Sequence, residues 1–130
     1  MKKYILLFNF ILVISLSLIA QEAASVPMPS GKEIYIPKDL QGMDLQNPDS
    51  KWSYHRMAYT DNFVIFWEKG FGNDLSNPPQ LEGHDMEVDL SNLTEKLESF
   101  YRFFRDTLKF SKPGSKCDKY RMMVMLNYSL

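Results

Sequence analysis

Apolar residues run unbroken, or nearly so, in three places along the chain, and between two of them they recur every three or four residues. The unbroken runs are YILLFNFILVISLSLIA at residues 4–20, FVIFW at Phe63–Trp67 and MMVML at Met122–Leu126. Five consecutive β-branched, aromatic or long apolar residues between turn signals read as a strand buried on both faces. Thr60-Asp61-Asn62 is a turn signal before Phe63, and Tyr54–Tyr59 reads as the arm that pairs back as a hairpin. Leu90, Leu93, Leu97, Phe100, Phe104 and Leu108 keep a helical period, with Tyr101 on the same stripe and charged residues between them. That pattern predicts an amphipathic helix over Asp89–Lys109, roughly 30 Å long, with its aromatics facing a core rather than a ligand. Asp89 is placed to cap it, Val88 and Leu93 to staple its entry, and Lys109 to face the negative end of its dipole. Pro113-Gly114 ends the segment.

Strand, long helix, strand is a crossover unit whose strands run parallel. The expected fold class is therefore α/β (α+β), preceded by a loop-rich segment. Within that segment EIYIP predicts one short strand that Pro37 ends, and Pro27, Pro29 and Pro48 add further breaks. Residues 21–53 read as too interrupted to build a second layer. One helix covers one face, so the strands are expected to lack cover on the other. Residues 21–130 then read as the front part of a larger domain. The expected division is 1–20 an export leader, 21–33 a flexible leader and 34–130 the N-terminal part of one α/β domain.

Lys2 and Lys3 before the first run, and Ala20 at its end, have the form of a secretory signal peptide cut after Ala20. A retained anchor is the competing reading. The run is short for a span of ~20 residues, and no basic cluster follows it. Acylation needs a cysteine near the cut, and the single cysteine is Cys117. Cleavage removes Lys2 and Lys3, so 15 basic residues become 13 against 16 acids, and the formal charge becomes −3. A weakly acidic chain without a basic stripe excludes nucleic acid as a natural partner. After cleavage nothing is apolar enough to engage a membrane as a span. The expected destination is the periplasm, the cell surface or the medium.

One cysteine in an exported chain excludes an internal disulfide framework. Cys117 lies between lysines in PGSKCDKY but has no histidine nearby in sequence. It reads as a half-buried free thiol, or as half of a disulfide whose partner lies past Leu130. His84 stands among Glu82, Asp85, Glu87 and Asp89, yet a hydrolytic zinc site takes three ligands at regular spacing. An acidic run ahead of a helix N-terminus is the better explanation, because negative charge is favourable there. His55 reads as structural. Gly70-Phe71-Gly72 lacks the lysine and hydroxyl of a phosphate cradle. Ser53, Ser76 and Ser91 lack a nucleophile elbow. Asn92-Leu93-Thr94 and Asn127-Tyr128-Ser129 match the glycosylation pattern inside predicted elements, a coincidence of sequence. No catalytic, cofactor-binding or metal-ligating residue is assigned.

IPKDLQGMDLQNPDSKWSYHRM, TDNFVIFWEKGFGNDLSNPPQLEGHDM and KPGSKCDKYRMMVMLNYSL resemble the N-terminal part of a family of secreted bacterial proteins of unknown function that looks zincin-like. The resemblance covers Ile34–Leu130 and rests on overall wording rather than on a catalytic motif. It implies that Phe63–Trp67, Asp89–Lys109 and Tyr120–Tyr128 are the opening strand, helix and strand of a zincin. The His-Glu-x-x-His helix of such proteins would follow a glycine-rich stretch beyond this point. No zinc ligand or general base transfers to any residue here, and zinc is expected only in a longer form. The implied function is a structural front part of a zinc-dependent hydrolase, inactive alone and partnered by the missing C-terminal part of its domain. The competing function is a secreted or surface module that binds a glycan or peptide without catalysis. Trp52, Tyr54 and Trp67 would be its aromatic platform.

Overall fold

The computed structural model describes residues 28–128. The expected export leader at residues 1–20, the residues just after it and the last two of the chain lie outside the described residues. Four strands, β1 (Glu33–Ile34), β2 (Met57–Tyr59), β3 (Phe63–Trp67) and β4 (Tyr120–Leu126), form one sheet in the order β1-β4-β3-β2. The helices are α1 (Lys38–Gln41), α2 (Leu90–Arg102) and α3 (Lys116–Lys119). The fold class is mixed α+β.

β3 and β4 run parallel, from Phe63 opposite Met122 to Trp67 opposite Leu126. The crossover that parallel pairing demands contains α2. β2 turns back antiparallel on β3, with Met57 opposite Phe66, as the turn signal at Thr60–Asn62 predicts. β1 pairs with β4 at only two positions, Glu33 with Tyr120 and Ile34 with Arg121. Pro37 then takes the chain into α1.

The second face of the sheet is covered, which corrects the expectation from residues 21–53. Leu40, Leu45 and Trp52 pack against Val64 and Phe66, with Met123 and Met125 alongside. Proline keeps the regular elements there short, as β1 and α1, but does not prevent burial, because the irregular backbone satisfies itself locally. Asp44 and Asn47 side chains accept from the amides two residues on, and Ser50 Oγ donates to Asp44 O. The buried Arg56 guanidinium donates to the carbonyls of Pro48, Ser50 and Lys51. These bonds hold the loop that presents Leu45 and Trp52 to the sheet.

On the opposite face Trp67 packs with Phe71 and Leu75, flanked by Val88, Leu90 and Leu126. Phe63 meets Tyr101 of α2 edge to face, with ring centroids 6.2 Å apart. Asp89 caps the helix, its carboxylate accepting from Asn92 N at 2.9 Å. The helical period then changes. α2 gives way to a π-helical turn at Phe103–Thr107, and Lys109 closes the segment in the left-handed region at φ 57°. A wider turn moves each later side chain off the original stripe. Leu108, beyond this turn and expected in the core, is exposed; within α2 itself Tyr101 is the buried residue, while Phe100, also expected in the core, is exposed.

The two apolar strands differ in one respect. All five residues of β3 are buried, whereas Met122–Leu126 of β4 are half-buried. β3 has a strand on each side, but beyond Arg121 the outer edge of β4 has no strand partner among the described residues.

Candidate functional site

Each residue considered for chemistry has a structural place. His84 is exposed, and its amide donates to Leu81 O at 3.0 Å in a tight turn. Glu82, Asp85, Glu87 and Asp89 around it are also exposed; Asp85 accepts from Glu87 N, and Asp89 is spent on the helix cap. Among the described residues no three His, Cys, Asp or Glu side chains group closely enough to hold a metal ion. The side chains of the described residues do not fit zinc. His55 ties the N-terminal layer together, with Nε2 3.1 Å from Gln46 O and its amide on Ser53 Oγ. Ser53 is fully buried and donates to Leu45 O.

The aromatic platform is not assembled. Trp52 is 4% exposed and Trp67 7%, because both belong to the cores on opposite faces of the sheet. The Trp67 indole N–H donates to Gly72 O, and Tyr54 packs on Phe66 at 5.9 Å. Burial raises the Tyr54 hydroxyl above its ordinary pKa.

What the fold does bring together lies where α2 and α3 meet the start of β4. Lys32 Nζ donates to Asn62 Oδ1 (2.5 Å), Cys117 O (2.5 Å) and Tyr101 OH (3.1 Å), and lies 4.8 Å from the centre of the Tyr101 ring. Arg121, 5% exposed, donates to the carbonyls of Ser30, Lys32 and Thr60. These two cations tie β1, the β2–β3 turn, α2 and α3 to β4. Their positive charge is spent on carbonyl and hydroxyl oxygens within the fold.

Beside this knot are two clefts. One, of about 400 Å³, opens between Tyr35, Lys116, Tyr120 and Met122. The other, of about 180 Å³, lies between Met122 and the rings of Phe100, Phe104 and Phe110. Both reach the half-buried free thiol of Cys117. The rings form a ladder, Phe100 to Phe104 at 4.1 Å and Phe104 to Phe110 at 5.3 Å, with Phe100 53% and Phe110 73% exposed. Lys116 and Arg121 line the first cleft and Arg105 the second, beside a mostly apolar surface. Sequence reasoning missed it by extending one helical period through Leu108. The visible signal was the crowding of Phe100, Phe103, Phe104 and Phe110 at the end of that period.

A model of the family described as "Family of unknown function (DUF6055)" matches residues 27–130. No curated protein and no solved structure matches the chain.

Proposed function

The chain belongs to the family of unknown function DUF6055, and we propose that it supplies the non-catalytic sheet-and-helix layer of an exported, zincin-like hydrolase. The observation that carries this reading is the parallel β3–α2–β4 unit, the order in which the zincin resemblance places its opening strand, helix and strand. Zinc and the glutamate that activates its water would come from residues outside this chain. The part played by these residues is to present a rigid sheet, buried on both faces at β3, as backing for that chemistry. Residues 1–20 support export. The test is a peptidase and glycan-hydrolase assay on the zinc-loaded protein. The expected result is no turnover, and turnover that a chelator abolishes would overturn the reading.

A second reading, a secreted or surface module that binds a peptide or glycan, draws on the exposed Phe100–Phe104–Phe110 ladder. Saturable binding of an aromatic-rich peptide or an oligosaccharide, lost in Phe104→Ala, would favour it over the first.

A further inference from the structure

We propose that the outer edge of β4 pairs antiparallel with the same edge of a second copy of the chain, across a two-fold axis at Met125. The inference goes beyond the hydrolase reading and does not rest on it. Met122 N–H donates to Asn62 O at 2.8 Å, Leu126 O accepts from Glu68 N–H at 3.0 Å, and Tyr128 N–H donates to the Glu68 carboxylate at 3.0 Å. The even-numbered residues of this stretch therefore turn their backbone groups toward β3. By the alternation of an extended chain, Met123, Met125 and Asn127 turn theirs outward. β1 takes only the positions at Tyr120 and Arg121, so nothing in the described sheet meets them.

Unpaired edges are normally blunted by lysine, proline or a bulge. Met123–Asn127 carries no charge and no proline. The groups it offers are alternating N–H and C=O, whose complement is an extended backbone. Length then selects the occupant. β1 bounds this edge at one end, and the chain leaves the strand at Tyr128 at the other. A copy centred on Met125 sets Met123 opposite Asn127 of its partner, uses all five positions and stops before β1. A longer foreign strand would run into Glu33–Ile34. Two uncharged edges meet without repulsion, and the contact is isologous and closes. Met122 and the Phe104 and Phe110 rings line one cleft, so the ladder lies on the β4 side of α2. With the axis perpendicular to the sheet, both ladders flank the seam on one face and add apolar area that the strands alone lack.

The test is sedimentation of the full chain together with residue-resolved amide exchange. Mass should double between about 1 and 200 µM, and the Met123 and Met125 amides should slow at least ~10-fold over that range. The Val124 amide, bonded to β3, should be slow throughout. Met125→Pro removes an outward donor and no bond to β3, so it should stay monomeric. Because Met125 also packs on the core of Leu45 and Trp52, the melt of this variant is compared with that of Met125→Ala, which trims the side chain, keeps the donor and should still dimerise. A monomer at every concentration overturns the proposal. So does association that survives Met125→Pro, which would belong to residues 4–20 or to the phenylalanine ladder. Slow Met123 and Met125 exchange in the dilute monomer also overturns it, since the edge would then be covered by another polypeptide segment. If Met125→Pro does not fold, the concentration dependence of wild-type exchange decides alone.

Discussion

Glu98 holds Asn62 at two points: Oε1 accepts from the Asn62 amide at 2.9 Å, and Oε2 accepts from the Asn62 side chain at 2.7 Å. Thr60 Oγ1 donates to the same carboxylate at 2.5 Å. One residue of α2 thus fixes the turn between β2 and β3, and with it the start of the strand that α2 packs on.

Glu98→Ala should cost about 1–3 kcal/mol, because it leaves the Asn62 and Thr60 donors without their charged acceptor. Burial pushes the Glu98 carboxyl up, but the hydrogen bonds from Thr60 and Asn62 outweigh it and hold the group below its ordinary pKa of 4.5. A depressed folded pKa gives stability that is present above the unfolded value and lost as pH falls through the folded one. Thermal melts should therefore show the wild type losing its advantage over Glu98→Gln below about pH 4.5.

Trp52→Ala should destabilise the chain by about 3–5 kcal/mol, the cost of emptying a packed aromatic site. The side chain is buried against the sheet layer that contains Val64 and Phe66. Were Trp52 a ligand platform, the substitution would leave the urea midpoint unchanged. A large fall in that midpoint is the expected outcome.

Gly70→Ala should cost about 1–3 kcal/mol through overpacking. A Cβ at Gly70 would overlap the Tyr128 ring and lie 2.9 Å from the Tyr128 Cβ. Tyr128 cannot easily withdraw, since its ring packs on Phe71 at 5.3 Å and its hydroxyl donates to Pro79 O. In a Tyr128→Ala background the same glycine substitution should be nearly neutral, a coupling that a double-mutant cycle reads directly.

Asp89→Ala should lower stability by about 0.5–2 kcal/mol through loss of the cap on Asn92 N. Asp89→Asn should retain most of it, because an amide oxygen accepts the same bond. Comparing the two by chemical denaturation separates the cap from the general acidity of the preceding run.

The elements legible in the sequence were those fixed by local rules. FVIFW and MMVML announced the two parallel strands, though only the first is fully buried; Thr60-Asp61-Asn62 announced the hairpin turn, and Asp89 the helix start. What escaped was decided by distant contacts or by a change of period. Residues 21–53 looked too broken by proline to layer, because a regular element was sought where Arg56 and short polar side chains hold an irregular one. Phe100 was assigned to the core on a stripe whose buried place Tyr101 takes, and Leu108 because nothing local marks the π-helical turn that precedes it. The Lys32 and Arg121 knot was invisible for a plainer reason: its acceptors are mostly backbone carbonyls, which every residue has.

Arg121 reaches back 91 residues to Ser30, and Lys32 reaches forward 85 to Cys117. A polypeptide made from its N-terminus cannot close the first contact until β4 begins to emerge, nor the second until α3 has. β3, apolar from end to end, meanwhile waits for Met122–Leu126 with its hydrogen-bonding side unfilled. Long-range closure of this kind costs loop entropy that local contacts do not, and slows folding. The first-made part of the sheet is therefore held open until the strand that completes it arrives.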